Sequence, residues 1–532
     1  MTSTSTTRTT PLQLPPTPGS LGELVDQAAQ KFGDAPLWIS IDDGTRISHA
    51  ELAALTRKCA NALRARGVGH GTHVAVMLPS VPAYAITWFA LARLGAVMIP
   101  VNTQYKPTDL EYVLRDSDAR FLVIDESCMA SFAAIEGEVV PKANVIVHGP
   151  LTSSSWQDIV DKAPDTPVEA AGVHAGTLIS IQYTSGSTGF PKGCMLTQDY
   201  WLVLGVVRAH QGPKPKRLLI DKPFSYMGGM WRLLVCLYLG SAAVVARRFS
   251  LSALQDRLVE FDIDYFGATD GVAKLPDHPG IGKLRMAWIS ISGLSKGLHE
   301  SLERRFRAPV RELYGLTETG STLYMPTEAT HMIGSGSCGV PAPFRACRVV
   351  GPDGTDVQRG EVGELWVSGR AILKGYYNKP EATREAFSGE WFRTGDLFRQ
   401  DENGYFYIQG RIKDSIRRSG ENISAREIET IASGIEGVFE TTAVAVPDEL
   451  RGEEVKLCLV LQPGYSREQV TPERVARYCA ERLAAFKVPR YIEYVQEMPR
   501  TSSNKIAKQE LTRGHGGVVF DRVTNAWAEK GK

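Results

Sequence analysis

Apolar residues recur at three- and four-residue spacing over Leu21–Phe32 and Ser48–Arg66, which predicts two amphipathic helices. The second opens on Ser48 with Glu51 three positions on. In that pattern the hydroxyl and the carboxylate each satisfy a backbone N–H at the helix start. Val74–Leu78 and Val97–Val101 are unbroken apolar runs and read as buried strands. Between them Ala83–Leu94 has helical character and ends at Gly95. Asp109–Ser117 then reads as helix and Phe121–Ile124 as strand. Strand, helix, strand at this spacing builds parallel α/β sheets. Leu178–Tyr183 is a further strand and runs straight into a glycine-rich segment. The longest apolar stretch, Trp231–Ala246, is interrupted by Arg232, Gly240 and Ser241. It falls short of the roughly 20 residues that span a bilayer, so it reads as buried helix and strand.

After about Arg345 the texture changes. Short strands, Ala346–Val350, Gly363–Val367 and Tyr405–Ile408, are separated by turns such as Pro352-Asp353-Gly354 and Asn403-Gly404. From about Lys413 an α+β pattern follows. It comprises helix Ala425–Ser433, strands Glu440–Val446 and Val455–Leu461, helix Thr471–Arg482 and strand Arg490–Tyr494. The expected division is a disordered leader over 1–18, a large domain over 19–411 whose β-rich part is about 345–411, and a small domain over 412–532.

Composition narrows the function classes. The 532 residues carry 60 basic and 59 acidic side chains, a net charge of +1 that offers no electrostatic case for a nucleic-acid partner. The eight cysteines form no C-x-x-C pair, which argues against a zinc site and fits a reducing, cytoplasmic setting. The Ser/Thr-rich start, Met1–Thr10, has no apolar core of a secretory signal.

The strongest local signal is Tyr183-Thr184-Ser185-Gly186-Ser187-Thr188-Gly189-Phe190-Pro191-Lys192-Gly193. Its glycines allow consecutive N–H groups to converge on an anion, its hydroxyls add donors, and Lys192 adds a charge. Placed between a strand and a helix, such a loop suits a polyphosphate. Gly334-Ser335-Gly336-Ser337-Cys338-Gly339 matches a dinucleotide fingerprint literally. However, Val340-Pro341-Ala342-Pro343 follows and cannot open a helix, so that site fails on context.

Five more landmarks follow in order: Tyr314-Gly315-Leu316-Thr317-Glu318-Thr319-Gly320 after an apparent strand Val310–Leu313, Trp391-Phe392-Arg393-Thr394-Gly395-Asp396-Leu397, Gly410-Arg411-Ile412-Lys413-Asp414, Ser419-Gly420-Glu421-Asn422-Ile423-Ser424, and Pro499-Arg500 with Asn504-Lys505-Ile506. Together with the glycine loop they resemble the adenylate-forming superfamily of acyl-CoA synthetases, firefly-type luciferases and carrier-loading adenylation domains. The resemblance covers essentially the whole chain after the leader and is strongest to stand-alone acyl-CoA synthetases. Arg417–Ser424 and Ala485-Phe486-Lys487-Val488-Pro489-Arg490 are similar to the carnitine/crotonobetaine-CoA ligase branch.

The resemblance implies an α/β fold: a large N-terminal domain of two parallel-rich sheets with packed helices and a small β-barrel-like unit, then a small mobile α+β C-terminal domain. It implies a ligase that uses ATP to make acyl-AMP, releasing pyrophosphate, and then passes the acyl group to coenzyme A. By resemblance Thr184, Ser185, Gly186, Ser187, Thr188 and Gly189 hold the β- and γ-phosphates with help from Lys192. Thr317 contacts phosphate and Glu318 ligates Mg²⁺, a hard cation suited to carboxylate oxygen. Tyr314 lies on the adenine, Asp396 and Arg411 take the ribose hydroxyls, and Lys505 meets the α-phosphate. Lys413 is the hinge, and Ser419, Gly420 and Glu421 face coenzyme A. Tyr226, Trp231, Gly293 and Gly315 line the acyl pocket. Arg232 reads first as half of a structural ion pair and second as a partner for a polar group of the substrate. A homodimer is left open.

Three departures from the family pattern stand out. Tyr226 replaces a frequent His, Ser292-Gly293-Leu294 replaces Gly-Gly-Ala, and Asn504 rather than Gly precedes Lys505. The first two bear on the acid rather than the reaction. Two rival readings remain: an enzyme loading a separate phosphopantetheinyl carrier protein, and a degenerate nucleotide-binding protein without activity.

Overall fold

A computed structural model of the chain describes residues 13–149, 155–168, 171–184, 191–268, 270–273, 275–291, 296–418, 421–448, 450–501, 505–512 and 518–528. They form two compact units, residues 1–347 with 367–392 and residues 348–366 with 393–532.

The first unit is built on two sheets. One runs Val145–His148, Phe121–Asp125, His73–Met77, Val97–Pro100, Leu178–Thr184, Lys192–Thr197 and is parallel except for the last pair. Val97–Pro100 and Phe121–Asp125 are buried along their whole length, as parallel strands covered on both faces must be. The other sheet has nine strands. From Val310–Leu316 across to Pro36–Ser40 they are parallel, and both flanks are antiparallel. The capping pattern at Ser48 forms as predicted, with Ser48 N–H donating to Glu51 at 2.7 Å and Glu51 N–H to Ser48 Oγ at 3.1 Å. Gly95 ends the Pro82–Leu94 helix at φ 66°, a left-handed conformation that costs glycine nothing. The apolar stretch from Trp231 divides into the Met227–Leu239 helix and the Ala242–Val245 strand. Among the described residues no helix is long and apolar enough to cross a membrane.

One expectation is corrected. The glycine-rich segment does not lead from a strand into a helix. Lys192–Thr197 returns antiparallel to the strand it left, with Thr184 opposite Lys192 and Leu178 opposite Thr197. The Gln198–His210 helix begins only afterwards, where Thr197 Oγ1 accepts from Tyr200 N–H at 3.3 Å. The reason is local: Gly193, Cys194, Leu196 and Thr197 are all buried in the sheet, and the helix takes Thr197 as its capping residue. Gly334–Gly339 leads into a short strand, Val340–Pro341, in keeping with its exclusion as a dinucleotide loop.

The second unit contains the hairpin of Trp391–Gln400 and Phe406–Arg411 from Arg393 onward, which makes Asp396 and Arg411 direct cross-strand partners. Its larger sheet runs Glu421–Ser424, Ser415–Arg418, Gly452–Leu461, Tyr491–Tyr494, Val518–Asp521, Ala526–Ala528, with Val438–Asp448 also paired to Gly452–Leu461. Helices Ala425–Ala432 and Pro472–Ala480 close its core through Ile428, Ala432, Val475 and Cys479.

Candidate active site

Two features of the first unit converge. The stem of the glycine loop is one. Thr184 and Lys192 stand opposite each other at the end of the ladder. Tyr112 Oη donates to the Pro191 carbonyl at 3.0 Å, and Tyr183 Oη to Asp116 Oδ2 at 2.8 Å. Burial, reinforced by the Asp116 carboxylate, pushes the Tyr183 phenol up, so it stays a donor. Ser185, Gly186, Ser187, Thr188 and Gly189 lie outside the described residues.

The second feature is the hairpin between Val310–Leu316 and Gly320–Tyr324, whose tip is Thr317-Glu318-Thr319. A Cβ at Gly315 would stand 2.0 Å from the Gly320 carbonyl, so only glycine permits this turn. The tip is held by its backbone: Tyr200 Oη donates to the Thr317 carbonyl at 2.7 Å, and Arg345 Nε and Nη2 to the Thr319 carbonyl at 2.9 and 2.7 Å. Leu373 N–H meets the Glu318 carbonyl at 2.8 Å.

The side chains then meet on Tyr376. Its hydroxyl donates to Glu318 Oε1 at 3.0 Å, and Lys192 Nζ lies 5.0 Å from its ring centroid. Burial first, and then the Glu318 charge, pushes this phenol up too. Cys194, fully buried beneath, is raised well above an ordinary thiol by burial and then by Glu318, which makes it an inert packing residue. Lys192, Tyr376 and Glu318 thus place a cation, a donor and a carboxylate in one chain of contacts beside the loop stem. Tyr376 was missed in the sequence, because an isolated tyrosine in Gly375-Tyr376-Tyr377 carries no spacing signal.

Glu318 suits a hard divalent cation. One oxygen is fixed by Tyr376, and no described group of three His, Cys, Asp or Glu forms a protein cage for a metal. A carboxylate oxygen is the kind of ligand that a hard divalent cation takes.

Toward the expected acyl side, Tyr226 Oη accepts from Asn102 Nδ2 at 2.8 Å and the residue caps the Met227–Leu239 helix. Met230 is fully buried core, whereas Trp231 is half-buried. The ion pair expected for Arg232 is not formed among the described residues. It donates instead to the Gly228 carbonyl at 2.8 Å. Gly293 lies outside the described residues, and Tyr314 sits half-buried on the strand before the hairpin tip.

In the second unit Asp396 is buried and accepts from Arg411 Nε at 2.5 Å. Its turn is fixed by Glu364, which accepts from Gly395 N–H at 2.9 Å and from Trp366 Nε1 at 2.9 Å. Thr394 Oγ1 donates to the Leu365 carbonyl at 2.7 Å and accepts from Asp396 N–H at 3.1 Å. Lys413 lies in a single 3-10 turn, Ile412–Asp414. Just before it, Gly410 has φ 149°, and a Cβ there would press on Ser424 Oγ at 2.9 Å. Lys505 is exposed, its N–H donating to Thr501 Oγ1 at 3.2 Å. Ser419 and Gly420 lie outside the described residues, and Glu421 pairs with Arg418 at the sheet edge.

Comparison with known proteins identifies relatives over most of the chain. Residues 25–377 match the family model "AMP-binding enzyme", and residues 427–505 match "AMP-binding enzyme C-terminal domain". The chain is 30% identical to the putative acyl-CoA synthetase YngI of Bacillus subtilis, over 92% of this chain and 96% of that one. It is 32% identical to a feruloyl-CoA synthase of an Amycolatopsis species, over 89% and 95%. The crystal structure of ATP-bound MatB from Rhodopseudomonas palustris superposes with a TM-score of 0.84 at 27% identity, over 92% and 98%.

Proposed function

This chain belongs to the AMP-binding enzymes, the adenylate-forming superfamily of acyl-CoA synthetases, and from that premise we propose how its own residues divide the work. The protein is an ATP-dependent acid–thiol ligase. It converts a carboxylic acid to acyl-AMP with release of pyrophosphate, then passes the acyl group to coenzyme A with release of AMP. What supports the assignment of roles above all is the Lys192–Tyr376–Glu318 chain of contacts beside the glycine-loop stem.

In the first step a carboxylate oxygen attacks the α-phosphorus and the bond to pyrophosphate breaks. Two anions must approach, so the site needs fixed cations and donors. Thr184–Gly189 and Lys192 take the β- and γ-phosphates. Glu318, steadied by Tyr376, would hold Mg²⁺, whose charge offsets that of the phosphates. Thr317 contacts phosphate and Tyr314 stacks on adenine. Asp396 accepts from the ribose hydroxyls, Arg411 donates to them, and Lys505 balances charge growing on the α-phosphate. The acid sits toward Tyr226, Trp231, Gly293 and Gly315.

In the second step the sulfur of coenzyme A attacks the acyl carbon and the bond to AMP breaks. A thiol with a pKa of about 8.5 is nucleophilic enough once positioned. Residues 412–532 turn about Lys413 between the steps, withdrawing Lys505 and bringing Ser419, Gly420 and Glu421 to the thiol. The eight free cysteines, mostly buried, fit work in the reducing cytoplasm. The test is acid-dependent pyrophosphate–ATP exchange, followed by thioester formation with coenzyme A or with a phosphopantetheinyl carrier. Exchange with preference for free coenzyme A is expected. Preference for the carrier would reassign the second step, and no exchange with any acid would overturn the ligase reading.

A further inference from the structure

Two arginines inside the first unit have no carboxylate partner among the described residues. Arg232, on the Met227–Leu239 helix, is 6% exposed. Its Nη1 donates to the Gly228 carbonyl at 2.8 Å, and its buried Nε meets nothing. Arg208, near the end of the Gln198–His210 helix, donates from Nη1 to Gln211 Oε1 at 3.1 Å, and its buried Nε is likewise unsatisfied. Both guanidiniums stand against the same indole, Arg208 at 5.3 Å and Arg232 at 4.4 Å from the Trp231 ring.

An unpaired buried charge is among the most costly features a fold can hold, and two like charges side by side cost more. Desolvation first, then the charge of Arg232, holds Arg208 down to about 10. Indole contact offsets only a part of this. The helix end near Arg208 offers some compensation, whereas Arg232 lies inside its helix and has none of that kind.

The surroundings are shaped to these two groups. A Cβ at Gly267 would stand 2.5 Å from Arg232 Nη2, so glycine is required for the guanidinium to lie there. A Cβ at Gly315 would be 3.7 Å from Arg208 Nη2, which places that charge next to the strand leading to Thr317 and Glu318. Tyr265 Oη donates to Ser290 Oγ at 2.9 Å, and Ser290 Oγ would itself be 3.4 Å from the Gly267 Cβ. The reacting carboxylate of the acid brings one negative charge. That charge is carried to the α-phosphorus, so both arginines stay uncompensated.

We propose that the acid this ligase activates carries a second anionic group, a carboxylate or a sulfonate, seated against Arg208 and Arg232 beside Trp231. The inference rests on the ligase reading and names its substrate class. Guanidinium recognises both oxyanions by paired N–H donors, so the two share one chemistry. A site with unpaired buried donors also rejects an acid that lacks the second anion, because the arginines would then stay desolvated and empty-handed.

The test uses the full-length enzyme and pyrophosphate release. Short acids are assayed in length-matched sets whose far end is methyl, amide, carboxylate or sulfonate, with aromatic acids treated the same way. The anion-ended member of a set should exceed its methyl-ended match by at least ~100-fold in kcat/KM. The carboxylate and sulfonate arms decide which oxyanion is preferred. Arg232→Gln and Arg208→Gln should each lower kcat/KM for the dianion by ~30-fold or more, mainly through KM, and shrink the preference over the methyl-ended acid. The wild-type comparison decides the matter even where a variant does not fold. A methyl-ended or unsubstituted aromatic acid turned over as well as its anionic match would overturn the proposal and leave the ligase intact. Acid-dependent pyrophosphate release with no acid of any set would overturn the ligase reading instead.

Discussion

Replacing Tyr376 by Phe tests whether its hydroxyl steadies Glu318. The change removes one hydrogen bond, 3.0 Å long, from a phenol to a carboxylate, and leaves the ring under Lys192. A hydrogen bond to a charged group contributes about 1.5–3 kcal/mol. Glu318 is partly accessible, so water replaces some of the lost donor and about 1–1.5 kcal/mol remains. That corresponds to roughly a tenfold fall in kcat/KM for ATP. Tyr376→Ala also removes the cation–π contact of about 0.5–1 kcal/mol and should fall a further ~3-fold. The assay is pyrophosphate release at saturating acid over a range of Mg²⁺ concentrations. A loosened Glu318 should raise the Mg²⁺ required for half-maximal rate, and the reaction of preformed acyl-AMP with coenzyme A should fall less. Tyr376→Phe within twofold of the wild type, with an unchanged Mg²⁺ dependence, would refute the reasoning.

Lys505→Ala should depress adenylation by ~100-fold or more, the scale of losing one charge-stabilising donor, while preformed acyl-AMP still reacts with coenzyme A; equal loss in both steps counts against its role. Lys413→Pro should stiffen the hinge and spare adenylation relative to thioester formation; an unchanged ratio of the two rates excludes rotation there. Burial lowers His49 to about 4 from 6.5, and neither ring nitrogen has a partner. Between those values the unfolded chain binds more protons than the folded one, so stability is full above the unfolded value and falls by about 3 kcal/mol as the pH drops to the folded one. Urea midpoints at pH 7 and pH 4.5 should show that loss in the wild type and much less of it in His49→Met; equal slopes would place the acid sensitivity elsewhere.

The helices and strands of the first unit were legible because their signals are local. Ser48 with Glu51, and Gly95 after an apolar helix, specify their conformations within a few residues. The hairpin of Leu178–Thr184 and Lys192–Thr197 was not legible in the same way. Lys192–Thr197 is short and buried, and its pairing depends on the sheet rather than on its own period. The candidate site divides likewise. Glu318, Asp396, Arg411 and Lys505 sit in short motifs that resemble a family. Tyr376 reaches Glu318 from 58 positions away, and Arg208 meets Trp231 through the packing of two helices. Contacts of that kind leave no periodicity in the chain. Arg232 drew notice only as a charge in an apolar run, and that it pairs with no carboxylate among the described residues could be learned only in three dimensions.

Because Thr184 and Lys192 face each other across an antiparallel ladder, the ends of the glycine loop are brought together by the sheet. The entropy of closing that loop is therefore spent during folding, and a polyphosphate arriving later need not supply it. The stability of the sheet is correspondingly insensitive to loop length. Adding a residue or two between the strands would raise the closure cost only slightly, but would change how many N–H groups can face one anion. With the role proposed for Thr184–Gly189, variation in this segment should therefore alter the grip on phosphate long before it alters the stability of the sheet that carries it.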